Sequence, residues 1–171
     1  MKNIALIGFM ACGKSTIGKA IAHENGFSFI DTDTEIERAE KRSVSEIFDS
    51  DGEDYFRTRE SEILKLFSKV PHSVISTGGG IITRPENIEA LKETCFTVFL
   101  DIPFEILAKR AEGTGTRPLF RDREAAYELW KKRYKLYCDA ADMIYNSHDS
   151  IVLKSARHIT EAYRTFLKKC K

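Results

Sequence analysis

The chain has 171 residues, 42% of them hydrophobic and 31% charged, the balance of one ordinary soluble domain and not of a disordered or membrane-embedded chain. Lys plus Arg number 27 against 26 Asp plus Glu, a formal charge of +1, so no general nucleic-acid or membrane surface is expected and any anion must be held locally. Cys12, Cys95, Cys138 and Cys170 form no CxxC pair, which argues against a zinc site or a disulfide framework. The apolar run Ile4 to Ile7 is too short for a signal-peptide core, so the cytoplasm is the expected compartment.

In chain order, the apolar run Asn3 to Ile7 predicts a first strand and Thr16 to His23 a helix. Between them Gly8, Phe9, Met10, Ala11, Cys12, Gly13, Lys14 and Ser15 fit the pattern GxxxxGK[ST]. Such a loop turns successive backbone N–H groups inward, and these together with the helix N-terminus bind phosphate oxygens. Ala11, Cys12, Gly13, Lys14, Ser15 and Thr16 are therefore the expected ATP-binding residues, with Lys14 reaching the β and γ phosphates and the Ser15 hydroxyl ligating Mg2+. Cys12, just before a helix N-terminus, is expected to be open to alkylation.

A second strand is predicted over Phe27 to Ile30, running into Asp31, Thr32 and Asp33. Ligands of open α/β sheets bind beyond the carboxyl ends of strands, and strand alternation would point both aspartates the same way. One could orient magnesium through water while the other accepts a proton from a hydroxyl; Asp33 could equally cap the following helix. Ser43 and Glu46 form a capping-box pair, and Asp51 and Asp54 stand where a further helix would begin. Arg57 follows Phe56, with Glu53 four residues before and Glu60 three after, so it is either a ligand cation or a member of intrahelical ion pairs.

A third strand, Ser73 to Ser76, leads into Gly78, Gly79 and Gly80, where backbone can approach a ligand closely or simply turn. Phe96 to Leu100 predicts a fourth strand before Asp101, which imitates a magnesium-binding acid but is better read as a helix cap ahead of Pro103. The segment from Glu112 to Arg123 has loop composition. Arg133 then interrupts the apolar stripe of Ala126, Leu129, Leu136 and Ala140, and a buried guanidinium needs an anion, from a ligand or from an internal carboxylate. Tyr127, Trp130, Tyr134 and Tyr137 form a neighbouring aromatic stripe that reads as packing surface. Met143 to Tyr145 predicts a last strand, and Val152, Ala156, Ile159, Tyr163 and Phe166 a last amphipathic helix. Strands alternating with helices imply an α/β fold with a mostly parallel sheet covered on both faces.

Six ordered segments, GFMACGKST, the DTD at Asp31 to Asp33, DGEDYFRTRE from Asp51, STGGG from Ser76, RPL from Arg117 and the KRYKLY run containing Arg133, resemble the shikimate kinases over nearly the whole chain. The resemblance implies a three-layer sandwich with a five-stranded parallel sheet, the P-loop NTPase fold shared with nucleoside monophosphate kinases, and transfer of the γ-phosphoryl of ATP to the shikimate 3-hydroxyl with Mg2+. It implies catalytic roles for Lys14, Asp33 and Arg117, and shikimate binding by Asp33, Arg57, Gly79, Gly80 and Arg133. It also places Phe48, Phe56 and Pro118 in the substrate pocket, Arg110 near adenine, Asp31 facing magnesium through water, and Arg117 in a lid near 112–122. One kinase domain over 1–171, with a substrate-binding segment near 33–61, acting as a monomer on ATP and shikimate, is the resulting expectation. A small-metabolite kinase of the same fold, such as a gluconate kinase, would share Lys14 and Ser15, and a nucleotide-binding regulatory module would keep the loop without the chemistry.

Overall fold

Five short apolar runs form strands β1 (Asn3–Ile7), β2 (Ser28–Asp31), β3 (Ser73–Ser76), β4 (Cys95–Asp101) and β5 (Met143–Asn146). In the structure, a computed structural model that describes residues 2–112, 122–146 and 151–169, all four neighbouring pairs run parallel in the order β2-β3-β1-β4-β5. Every residue of β1 and β3 is buried, whereas the edge strands β2 and β5 keep exposed positions. A strand covered on both faces must be apolar throughout, which is why these runs show no polar alternation.

Parallel neighbours need crossovers, and the helices supply them: α1 (Lys14–Asn25), α2 (Thr32–Glu40), α3 (Val44–Phe67), α4 (Pro85–Thr94), α5 (Phe104–Glu112), α6 (Arg123–Ala140) and α7 (Val152–Lys169), with a 3-10 turn at Ile81–Thr83. α1 packs against α7, while α3, α4, α5 and α6 follow one another on the other side, giving the expected three-layer α/β sandwich. Because β1 feeds a connection toward β2 whereas β3 feeds one toward β4, right-handed crossovers carry the two chains to opposite faces. The crevice this opens at the carboxyl ends of β1 and β3 is where a ligand of such a sheet is held.

Several boundaries differ from expectation for local reasons. α1 is longer than Thr16 to His23, ending at Gly26 in the left-handed conformation (φ 66°). β2 stops at Asp31 and α2 begins at Thr32, so strand alternation does not extend to Asp33. The capping box of Ser43 and Glu46 is present, and Asp51 and Asp54 stand where, as expected, a second helical segment of α3 begins. They flank Gly52 (φ 83°, ψ 175°), a single non-helical residue at which α3 kinks and continues. Asp101 does not cap α5: Pro103 accepts the first helical hydrogen bonds, from Ile106 and Leu107, and the Asp101 carboxylate accepts from Tyr134 Oη at 3.2 Å. The expected lid with Arg117 and Pro118, and most of the loop 146–150, lie outside the described residues.

At the opposite end of β1 from the crevice, Asn3 is 3% exposed. Its Nδ2 donates to Ser68 O and Val70 O, both at 2.8 Å, and its Oδ1 accepts from Ser73 N at 3.0 Å. One amide thus fixes the turn between α3 and β3. Asn3→Ala should cost about 2 to 3 kcal/mol of unfolding free energy, because buried backbone groups lose their partners. Urea denaturation would read this, with substrate KM values unchanged; an unaltered urea midpoint would mean that the turn satisfies itself.

Candidate active site

The loop between β1 and α1 wraps the carboxyl end of the central strand. Gly13, the cap of α1, has φ 96° and supplies no side-chain hydrogen bond, so the first-turn N–H groups have no side-chain cap. Ala11 adopts φ 64°, a conformation costing a side-chain-bearing residue about 1 kcal/mol or more. The Lys14 ammonium folds back onto this loop, donating to Gly8 O at 2.8 Å and Phe9 O at 3.1 Å, with Cys12 Sγ at 3.6 Å. Cys12 is 2% exposed. Alkylation at Cys12 is therefore not favoured, contrary to the sequence expectation: the thiol packs beneath the loop instead of facing the ligand. Arg110, from the last turn of α5, reaches the same loop through a 3.5 Å hydrogen bond to Ala11 O.

Ser15 and Thr16 are exposed at the start of α1. Ser15 Oγ donates to Asp31 Oδ2 at 2.6 Å and lies 3.2 Å from Ser76 Oγ. Three oxygen-bearing side chains from α1, β2 and β3 therefore meet at one point. Among the described residues no three His, Cys, Asp or Glu side chains gather as a metal cluster. A divalent ion here would depend on oxygen donors from a nucleotide.

The second half of the site surrounds Gly78, Gly79 and Gly80. A Cβ on Gly78 would stand 2.2 Å from Glu60 Oε1 and 2.8 Å from Asp33 Oδ1, and one on Gly80 would stand 2.2 Å from the Arg57 guanidinium. The lack of a Cβ at Gly78 and Gly80 thus lets side chains of the protein itself approach closely, where a ligand was the expected neighbour. Thr32 Oγ1 accepts from Gly78 N at 2.9 Å and anchors the turn to α2.

Arg57 takes both sequence readings at once. Its Nε and Nη2 donate to Glu53 at 3.2 and 3.0 Å and its Nη1 to Glu60 at 2.7 Å, so the intrahelical ion pairs exist. Yet the guanidinium also lies over the rings of Phe56 and Phe48, 5.3 and 5.9 Å from their centroids, beside the glycine turn. Burial works against its charge, but Glu60 and Glu53 outweigh that and raise its pKa.

Arg133 differs. It is 7% exposed, donates to Gly79 O at 3.3 Å, and leaves its Nε without a partner. No carboxylate forms an ion pair with it among the described residues; Glu53 and Glu60 act on it only at a distance. Burial, and then the nearby Arg57, hold its pKa below the usual value against the pull of Tyr137, Glu53 and Glu60.

Asp33 does not cap α2; the cap position falls at Asp31, whose side chain makes no capping bond. As a residue Asp33 is half-buried, but its Oδ1 is closed off from solvent and unpartnered. Burial, then Glu60 and Asp31, push its carboxyl up to about 7 against Lys14 and Arg57. Glu60 is fully buried, with Oε1 unpartnered, and burial pushes its carboxyl up as well. Glu60, Thr32 and Ser76 were not singled out as site members from sequence. The segments DTD, STGGG and DGEDYFRTRE contain all three, and the spacing of Glu60 from Arg57 added a signal of its own.

A parallel sheet in this order, with a phosphate loop at its central strand and a charged acceptor pocket beside it, defines a P-loop phosphotransferase. The family model described as SKI, shikimate kinase, matches residues 10–164, and the chain belongs to that family. A shikimate kinase of Clostridium botulinum (strain 657 / Type Ba4) is 42% identical over 168 residues, covering 96% of this chain and 97% of that protein. One from Persephonella marina is 42% identical over 141 residues, covering 82% and 86%. The solved shikimate kinase from Acinetobacter baumannii in complex with shikimate superposes with a TM-score of 0.91 at 33% identity, covering 96% of this chain and 94% of that one.

The Asp33 environment has a measurable consequence for stability. Folded, the carboxyl holds its proton up to about pH 7; unfolded, it releases it near its ordinary 3.8. The resulting stabilisation is complete below the lower value, drains away between the two, and is lost above the higher. Asp33→Asn cannot ionise, so it should gain on the parent between about pH 5 and about pH 8 by about 1 to 3 kcal/mol. Urea midpoints at the two pH values would check this, and a difference that does not change with pH would sink it.

Proposed function

We propose that this chain transfers the γ-phosphoryl group of ATP to the 3-hydroxyl of shikimate, giving shikimate 3-phosphate and ADP in aromatic amino acid biosynthesis. The observation that carries the reading is Arg133, a buried guanidinium with no carboxylate ion-pair partner among the described residues, set beside Arg57 next to a phosphate loop. A buried charge of this kind calls for an anion, and shikimate offers a carboxylate. Glu53 is 63% exposed, so a substrate carboxylate can replace it on the Arg57 fork while buried Glu60 keeps that fork aligned.

In this reading Ala11, Cys12, Gly13, Lys14, Ser15 and Thr16 hold the phosphates of ATP. Lys14 exchanges its loop carbonyls for phosphate oxygens, and Arg110 lies along the nucleotide. Arg117, outside the described residues, completes the charge around the transferred group. Phe48 and Phe56 pack on the ring, and Gly79 and Gly80 approach it with backbone. The substrate O3 forms a bond to the γ phosphorus as the bond from phosphorus to the bridging β,γ oxygen breaks. Asp33 accepts the hydroxyl proton, a role that a carboxyl poised near 7 suits. The all-oxygen cluster of Ser15 and Asp31 fits Mg2+, with Asp31 acting through water. When bound, that ion would supply neutralisation of phosphate charge.

The remaining expectations belong to the same proposal: one kinase domain over 1–171 with a lid near 112–122, a monomer, in the cytoplasm, without nucleic-acid or membrane partners. No helix of the described residues is long and apolar enough to cross a membrane.

ADP release measured across shikimate, quinate, gluconate and nucleoside monophosphates should show a kcat/KM highest for shikimate. A faster reaction with gluconate would move the chain to another small-metabolite kinase, and ATP binding without turnover of any acceptor would make it a regulatory module. Lys14→Met should lower kcat by the equivalent of about 2.7 to 4 kcal/mol with the fold intact; near-normal turnover would remove Lys14 from the chemistry. Arg133→Lys replaces a planar fork by a point charge and should lower kcat/KM for shikimate about ten- to a hundredfold. The Kd for ATP should stay near the parent value. Equal losses against both substrates would mean a general disturbance of the site.

A further inference from the structure

Tyr137 lies one turn after Arg133 on α6, and both side chains reach the same acceptor. Its ring is fully buried, stacked on Phe99 with centroids 5.0 Å apart and planes 21° apart. For packing alone a phenylalanine would serve, without taking a hydroxyl out of water. The hydroxyl is committed to a hydrogen bond donated to Gly79 O. That oxygen also receives Arg133 Nη1, at the longer distance of 3.3 Å. A carbonyl has two lone pairs, and here the phenol holds one at close range while the guanidinium only leans on the other.

Removing the hydroxyl changes what Arg133 must do. A half-buried carbonyl still needs a partner, and with the phenol gone Arg133, already donating to it, is the protein neighbour that can satisfy it. The guanidinium would be drawn onto Gly79 O and away from any incoming anion. The peptide between Gly79 and Gly80 would also lose its fixed orientation. No peptide here is cis, so a Gly79 carbonyl held toward α6 turns the Gly80 N–H to the opposite side of the chain.

We propose that Tyr137 is a positioning residue for the acceptor substrate: its hydroxyl holds the Gly79 carbonyl, fixes the peptide between Gly79 and Gly80, and leaves the Arg133 fork free for the substrate carboxylate. The proposal rests on the shikimate-phosphorylating reading given above. It acts through Arg133 and through backbone, so it concerns binding of the acid more than phosphoryl transfer.

Tyr137→Phe preserves the ring and tests the hydroxyl alone. The expected result is a KM for shikimate raised about tenfold, with kcat, the KM for ATP and the thermal midpoint near parent values. In an Arg133→Lys background the same change should add less than about a twofold penalty, because the two substitutions act along one line. An unchanged KM for shikimate, a parallel rise in both KM values with a fallen midpoint, or the full penalty in both backgrounds would each overturn it. The 15N–1H resonance of Gly80 gives a readout independent of turnover. It should shift between ligand-free parent and ligand-free Tyr137→Phe, and a resonance that does not move would overturn the proposal whatever the enzyme phosphorylates. A parent enzyme inactive on shikimate would instead overturn the functional reading, with the resonance still deciding the role of Tyr137.

Discussion

Charged groups from α2, α3 and α6 converge on one short stretch of backbone because Gly78 and Gly80 have no Cβ. An alanine at the first would collide with Glu60 and Asp33, and at the second with Arg57. The turn follows β3, which neighbours β1 in the sheet, and β1 ends in the phosphate loop. Sheet order therefore brings a phosphate cradle and an acceptor pocket to the two sides of one crevice. If the glycine turn were filled, the ends of the Glu60, Asp33 and Arg57 side chains would have to shift, and the Arg57 fork would lose its place beside Gly80.

Neutralisation of the three cations is graded. Arg57 is held by two carboxylates, Lys14 by two backbone carbonyls, and Arg133 by one distant carbonyl. Carbonyl dipoles surrender a cation to a full negative charge far more readily than a carboxylate does. Lys14 and Arg133 are thus the two positions poised to accept anions, one at each end of the site. The arrangement has a stability cost, visible in the buried atoms left unpartnered: Asp33 Oδ1, Glu60 Oε1 and Arg133 Nε. Buried orphans of this kind destabilise the folded chain.

The parts of this site that read from sequence are those in which chemistry is written locally. The phosphate loop is one contiguous pattern between a strand and a helix, so Lys14 and Ser15 were placed by spacing alone. Arg133 was legible because a charge broke an apolar helical stripe, and the buried neighbours Ala126 and Ala140 bear that period out. β1 and β3 matched nearly residue for residue, being continuous apolar runs with polar or glycine ends. What stayed hidden depends on partners distant in the chain. Glu60 and Asp33 meet only across Gly78, and Thr32 finds Gly78 46 residues away. Local rules also misjudged positions where a neighbour intervened. Asp31 closes β2 before alternation can reach Asp33, and Cys12 turns under the loop that was expected to expose it.

The same network couples the two ends of the acceptor. Arg57 is one of the cations that hold the Asp33 carboxyl down, while Glu60, itself held down chiefly by Arg57, pushes it up. A substrate carboxylate seated on Arg57 and Arg133 spends part of that positive charge. The opposition to the rise at Asp33 weakens, so negative charge on Arg57 favours the protonated form of Asp33 still further. The charges at Arg57 and Asp33 are therefore coupled, directly and through Glu60.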